Sequence, residues 1–245
     1  MNEMPLVLAL DTSHQRGSVA VSRGEEVLCE ILFDASDTHS ATLLPSVEAC
    51  LRSAKVEISD IERIAVVWGP GSFTGLRIGL ATAKALAAVR RLQVVPVESC
   101  AVLAAAFPCA AHPVFPLIDA RRGEVYGALY ETGDGFPREI APLFSAKPET
   151  LRRVLEAHSI TDPLILCGTG ALRHRAVLEP LMPSGSYFAG ARWALPSASL
   201  CALLALARKP LSYEELFAIE PLYIRPPDAR LPDTARLRRR GAGGR

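Results

Sequence analysis

No apolar run in this sequence approaches the roughly 18 residues that cross a bilayer as a helix. The early run Leu6 to Leu10 is too short for a signal-peptide core and runs straight into Asp11, so the expectation is a cytoplasmic chain with no membrane partner. There is no Cys-x-x-Cys pair, and apart from His112 near Cys109 the five histidines stand away from the six cysteines without ligand spacing of their own. A zinc site is therefore not expected, and no metal site is assigned. Cys29, Cys50, Cys100, Cys109, Cys167 and Cys201 read as reduced, small hydrophobes of an intracellular protein. Excess charge is missing too: a net charge of +1 gives no broad basic field of the kind that marks a dedicated nucleic-acid binder. What remains is a 245-residue globular chain, long enough for one large domain or two small ones.

The most informative stretch is IAVVWGPGSFTGLRIGLATAKALAAVRR, Ile64 to Arg91. Ile64 to Trp68 is short, β-branched and halted by Gly69-Pro70-Gly71, which predicts a buried strand. Ser72 or Thr74 can cap the following helix by accepting a bond from a free first-turn N–H. From Gly75 to about Arg90, alanine and leucine dominate without proline, which predicts a helix. Gly75, Gly79 and Ala83 recur every four residues and form a ridge with almost no side chain. Mid-helix glycine costs up to about 1 kcal/mol relative to alanine, so something must sit tightly against that ridge. Leu76 and Leu80 flank it, and Arg77, Lys84 and Arg91 share a cationic face that solvation alone could explain. The glycine turn is not a common phosphate loop. Gly75 is followed by Leu76 and Arg77 rather than Lys-Ser/Thr, and the dinucleotide spacing fails because Gly71 is followed three residues later by Thr74.

Elsewhere, strands are expected at Leu6 to Leu10, from Gly17 through SVAV, and at Glu26 to Phe33, with a loop from Asp34 to His39. Ser40 to Lys55 predicts a helix with Leu43, Leu44, Val47, Cys50 and Leu51 along one side and Pro45 in or near its first turn, where proline is tolerated. His39 reads as a cap or hydrogen-bond partner rather than a ligand. After a strand at Val94 to Val97 and a helix from Ser99 to Ala106, the pattern restarts. Val114 to Ile118 ends in Asp119, turns through Arg121-Arg122-Gly123 and returns as Glu124 to Tyr130, as the first strand ends in Asp11-Thr12-Ser13 before its own turn. Helices are expected at Pro148 to His158, at Leu172 to Leu178 after the Gly168 to Ala171 turn, and from Ser197 to about Arg208. Ser212 and Glu215 fit a capping box. After Pro226 the composition turns to Pro, Arg and Gly, which predicts a disordered tail over 226–245.

GPGSFTGLRIGLATAKALA closely resembles the signature of the TsaB (YeaZ) family. THSATLLPSVEACL, IDARRGEVYGALY and Glu220-Pro-Leu-Tyr-Ile-Arg225 resemble further parts of it, so the likeness runs over roughly 5–225. The resemblance implies a duplicated α/β fold of the actin/Hsp70/sugar-kinase (ASKHA) type, divided here as 1–107 and 108–225. It implies a non-catalytic subunit needed to form threonylcarbamoyladenosine next to the tRNA anticodon, as a heterodimer with TsaD that supports the ATPase TsaE, and it implies no cofactor of its own. TsaD-type chains hold a metal through an H-x-E-G-H run. The corresponding stretch here reads Val97-Glu98-Ser99-Cys100-Ala101, and no histidine lies between His39 and His112.

On this reading Leu43, Leu44, Val47, Leu51, Gly75, Leu76, Gly79, Leu80 and Ala83 form the surface for TsaD, or for a second copy when TsaD is absent. Arg77 and Lys84 would pair with carboxylates at its rim, and tRNA would be met through the complex. Asp11, Thr12, Ser13, Asp119, Arg121, Gly168 and Gly170 stand where superfamily members hold nucleotide, an activity TsaB-type chains need not retain. Two alternatives stay open at this point. A sugar-kinase-like phosphotransferase would use Asp11, Thr12 and Asp119, although no substrate-activating base stands out. A metallopeptidase would need the missing histidine pair.

Overall fold

The computed structural model describes residues 4–34 and 39–224, without the side chain of His39. The tail expected over 226–245 lies outside the described residues. The first sheet takes β1 (Leu6–Asp11), β2 (Arg16–Arg23), β3 (Glu26–Asp34), β4 (Arg63–Gly69) and β5 (Gln93–Glu98) in the order β3-β2-β1-β4-β5. The second takes β6 (Val114–Arg121), β7 (Glu124–Glu131), β8 (Arg138–Ala146), β9 (Ile165–Cys167) and β10 (Tyr187–Phe188) in the order β10-β9-β6-β7-β8. The two orders are the same when read from opposite edges. In each sheet three antiparallel strands are extended by two parallel ones: β1 pairs antiparallel with β2 and parallel with β4, and β6 pairs antiparallel with β7 and parallel with β9. This is the duplicated ASKHA-like arrangement.

Helices α1 (His39–Ala54) and α2 (Phe73–Arg90) cover the outer face of the first sheet, where Leu8, Leu10, Val19, Val21, Ile64 and Val66 meet Leu43, Val47, Leu80 and Ala83. The outer face of the second sheet is covered by α4 (Leu151–Ala157), α5 (Thr169–Arg173) and α6 (Arg175–Leu178), around Phe115, Leu117, Leu129 and Leu166. Between the sheets lie α3 (Ser99–Ala105) and α7 (Ala198–Leu206). The alternation along β1 explains the layering. Leu8 and Leu10 point outward, whereas Val7 and Ala9 point into the middle layer. Ala20 and Ala65 also face inward and meet Ala198, Ala202 and Ala205 of α7, so small residues on both sides let the helix lie close to the sheet. Each large outward residue such as Leu8 contributes about 1.5–3 kcal/mol of burial. A last helix, α8 (Tyr213–Ala218), carries the expected capping box and buries Leu216 in the α1/α2 layer.

Several boundaries differ from expectation. Ser72, not Thr74, caps α2, accepting from the Gly75 N–H at 3.3 Å. Pro45 lies inside α1 rather than in its first turn, on the solvent side. The helix after the second glycine turn begins at Thr169, which places Gly170 inside it. β8 and β10 were not expected: β8 is an edge strand interrupted by Pro142, and β10 has only two residues.

Candidate functional site

The tight neighbour of the glycine ridge is the chain itself. β1 ends in Asp11 and passes into Thr12 and Ser13, all three fully buried. Thr12 Oγ1 donates to the Gly75 carbonyl at 2.7 Å. A Cβ on Gly79 would overlap Thr12 Oγ1, and one on Gly71 would overlap the Ser13 carbonyl oxygen. That oxygen also accepts from the Ser72 N–H at 2.6 Å. The ridge is therefore the seat of the β1 end, not an outward face. Gly75, Leu76, Gly79, Leu80 and Ala83 are buried inside the chain, as is Leu43.

Arg77 and Lys84 are also engaged. Lys84 Nζ donates to the carbonyls of Ile219 at 2.7 Å and Phe217 at 3.1 Å, holding the end of α8. Arg77 stacks over the Phe73 ring at 3.9 Å and donates from Nε to Tyr223 Oη at 2.9 Å, while Phe73 and Tyr223 stack with centroids 5.1 Å apart. Leu222 N–H donates to the Trp68 carbonyl at 2.9 Å. The C-terminal segment from α8 to Tyr223 is thus laced along α2 by the cations expected at a partner's rim. The pattern at Phe73 and Arg77, an aromatic and a cation four residues apart on one helix, was a signal in the sequence. Their link to Tyr223 was not.

The outward face of α1 and α2 is a shallow apolar groove of about 480 Å³. Exposed Leu44, buried Val47 and Leu51, and Ile58 and Leu86 line it, with Glu48 and Glu57 as its charged residues. Leu44 is 49% exposed. Of the residues predicted for a partner surface, Leu44, Val47 and Leu51 come together here, joined by Ile58 and Leu86, which sequence reasoning missed. The rim is acidic rather than basic.

The residues predicted at a nucleotide site form two groups. In the first, Ser13 Oγ lies 2.6 Å from Asp11 Oδ1 and 2.8 Å from His14 Nδ1, and Ser13 N–H donates to the same Asp11 oxygen at 2.9 Å. Asp11 Oδ2 is buried with no hydrogen-bond partner among the described residues. Burial, opposed by the two Ser13 bonds, raises the Asp11 carboxyl to about 6, and burial lowers the His14 imidazole to about 4. In the second group, Asp119 accepts from Arg121 N–H at 3.0 Å and from the Arg173 guanidinium at 2.8 Å, and its own N–H donates to Thr169 Oγ1 at 3.1 Å. Gly168 and Gly170 lie against the backbone of Leu117. Thr12, Ser13 and Asp119 thus direct their polar atoms at the chain's own groups. No group of three or more His, Cys, Asp or Glu among the described residues is arranged to hold a metal ion. No helix among them is long and apolar enough to cross a membrane.

The family model described as TsaD, tRNA N6-adenosine threonylcarbamoyltransferase, matches residues 33–172. The tRNA threonylcarbamoyladenosine biosynthesis protein TsaB of Haemophilus influenzae is 32% identical over 234 residues, covering 89% of this chain and 93% of that protein. The protein of the same name from Bacillus subtilis is 29% identical over 220 residues, with the same coverage of both. The solved structure of YeaZ from Pseudomonas aeruginosa superposes with a TM-score of 0.75 at 30% identity, covering 90% of this chain and all of that one. The glycine-turn helix seated on its β1 end, the duplicated sheets and these likenesses along most of its length agree: the chain belongs to the TsaB (YeaZ) family.

Proposed function

We propose that the chain serves tRNA threonylcarbamoyladenosine biosynthesis as a non-catalytic subunit, docking on TsaD through the α1/α2 groove and supporting TsaE in the complex that meets tRNA. The observation that carries the docking half is the groove itself. Leu44 and Leu86 border an apolar floor at the surface of a family whose members are named for this pathway, and one of whose related models is the transferase TsaD. The chemistry of the rim selects the occupant: Glu48 and Glu57 favour a partner helix with apolar knobs and flanking lysine or arginine. The non-catalytic half draws support from the two strand ends, where Thr12 is bonded to the Gly75 carbonyl, Ser13 to the Asp11 carboxylate and Asp119 to the Arg173 guanidinium instead of being presented to a substrate.

Reconstitution tests both halves. TsaD, TsaE, ATP, threonylcarbamoyl-adenylate and tRNA are combined with and without this chain, and the modified nucleoside is read by mass spectrometry. Product that requires the chain, and that survives Asp11→Asn and Asp119→Asn, is the expected result. Product formed equally without it overturns the assignment. Loss of product in both carboxylate variants with the heterodimer intact overturns the non-catalytic reading.

A further inference from the structure

Two of the six cysteines face each other across the layer between the first sheet and α1. Cys29 lies on the edge strand β3, paired in register with Val21 of β2, and turns its side chain toward the α1 layer. Cys50 projects into the same layer from the inner side of α1, with its Sγ 3.5 Å from the Cys29 carbonyl and 3.7 Å from that of Val19. The four other cysteines differ in setting. Cys100, Cys167 and Cys201 are fully buried between the sheets, and Cys109 stands alone on the surface.

We propose that Cys29 and Cys50 are a disulfide-forming pair, closed by peroxide and reopened by thiol, which ties the edge strand β3 to α1. The roles follow from burial. Cys29 is half-buried on an edge strand and is the sulfur a peroxide reaches, while Cys50 is enclosed. Cys50 is shut off from solvent oxidant but lies beside Cys29, with its Sγ 3.5 Å from the Cys29 carbonyl, so it acts second, on the sulfur that peroxide has reached. In the first step hydrogen peroxide oxidises the Cys29 thiol to the sulfenic acid and is itself reduced to water. In the second, Cys50 sulfur attacks the sulfenic sulfur, the S–O bond breaks, and the hydroxyl leaves with the Cys50 proton as a second water. Two thiols and one peroxide thus yield one disulfide and two waters. Cys50 Sγ already lies 3.5 Å from the Cys29 carbonyl, within the same packed layer, so the two sulfurs start from neighbouring positions.

The test treats the full native chain with hydrogen peroxide, blocks remaining thiols by alkylation and maps peptides by mass spectrometry. The expected product is a Cys29–Cys50 linked peptide, two hydrogens lighter than the sum of its parts, which dithiothreitol separates. In Cys50→Ser, Cys29 should instead accumulate as a sulfenic acid trapped by dimedone, because its resolving partner is gone. In Cys29→Ser, Cys50 should remain a thiol. Sulfenic or sulfinic Cys29 in the native chain without the linked peptide overturns the proposal, and so does linkage of Cys29 or Cys50 to another cysteine. The native chain alone decides the matter if either variant folds poorly.

Discussion

Gly79→Ala tests whether the glycine ridge exists for the chain's own packing. On propensity alone the change should stabilise α2 by up to about 1 kcal/mol. The structure opposes that gain, because the new methyl would overlap Thr12 Oγ1, the atom that donates to the Gly75 carbonyl. Forcing a methyl into a packed contact costs about 1–3 kcal/mol, and leaving the buried Thr12 hydroxyl unsatisfied costs about 1–3 kcal/mol more. The net expectation is a loss of roughly 2 kcal/mol or more. Thr12→Ala should cost about 1–2 kcal/mol for its bond and methyl. With Oγ1 gone, however, the nearest remaining Thr12 atom to the new methyl is Cβ at 3.6 Å, an ordinary contact. The double variant should therefore recover the helix gain and lie within about 1 kcal/mol of the parent, a coupling of about 3 kcal/mol. Urea unfolding with an unchanged m-value reads the cycle. Additivity within about 0.5 kcal/mol, or a Gly79→Ala chain more stable than the parent, would refute the reasoning. The same geometry predicts that a bulkier change such as Gly79→Leu damages the fold before it reports on any partner.

The opposed shifts of Asp11 and His14 predict a nearly level stability between pH 4 and 6.5, because folding binds protons at Asp11 (3.8 to about 6) and releases them at His14 (6.5 to about 4). Asp11→Asn should leave a stability that rises with pH through that window, and His14→Gln one that falls, as read by urea midpoints; the reverse slopes would refute both attributions. Lys84→Met keeps the apolar stem but removes the donors to Phe217 and Ile219, so the Leu222 amide should exchange faster by hydrogen-exchange mass spectrometry, with about 1–3 kcal/mol lost. Unchanged exchange would show that the lysine does not hold the segment. Leu44→Glu should leave the chain's own stability within about 0.5 kcal/mol and weaken binding to TsaD about tenfold or more, whereas Val177→Glu on the far outer layer should leave binding unchanged. Equal affinities by calorimetry for Leu44→Glu and the parent would move the docking surface elsewhere.

The strand, glycine turn and helix from Arg63 to Arg90 were legible because they obey local rules: β-branched run, breaker, cap, then alanine and leucine without proline. The repeated strand, turn and strand at the head of each half was legible from two strands that each end in an aspartate before a turn, whereas β8 and β10, which complete the second sheet, were not. What the ridge met was not legible. A ridge without side chains records that something comes close, and Thr12 lies 63 residues from Gly75. The contacts of Lys84 and Arg77 within the chain were not legible for a similar reason. A cation on a helix face reads as solvated or rim-facing until the chain segment that it holds, more than a hundred residues on, is placed in space. The groove was half visible, since Leu44, Val47 and Leu51 follow helical spacing on α1, but Ile58 and Leu86 join it only through packing.

The middle layer has a consequence for how the chain is made. Translation delivers β1 to β5 first, with Val7, Ala9, Ala20 and Ala65 turned to a face that α7 covers in the finished protein. Until Ala198–Leu206 has emerged from the ribosome, that face lacks its main cover among the described residues, and α3, which also packs against it, in turn packs on the later strands β6 and β7. The nascent first half is therefore open on one side for most of its synthesis. Its early end reaches its final state only when nearly the whole chain is present, and a messenger truncated before that helix yields a product with an uncovered sheet for chaperones and proteases to find.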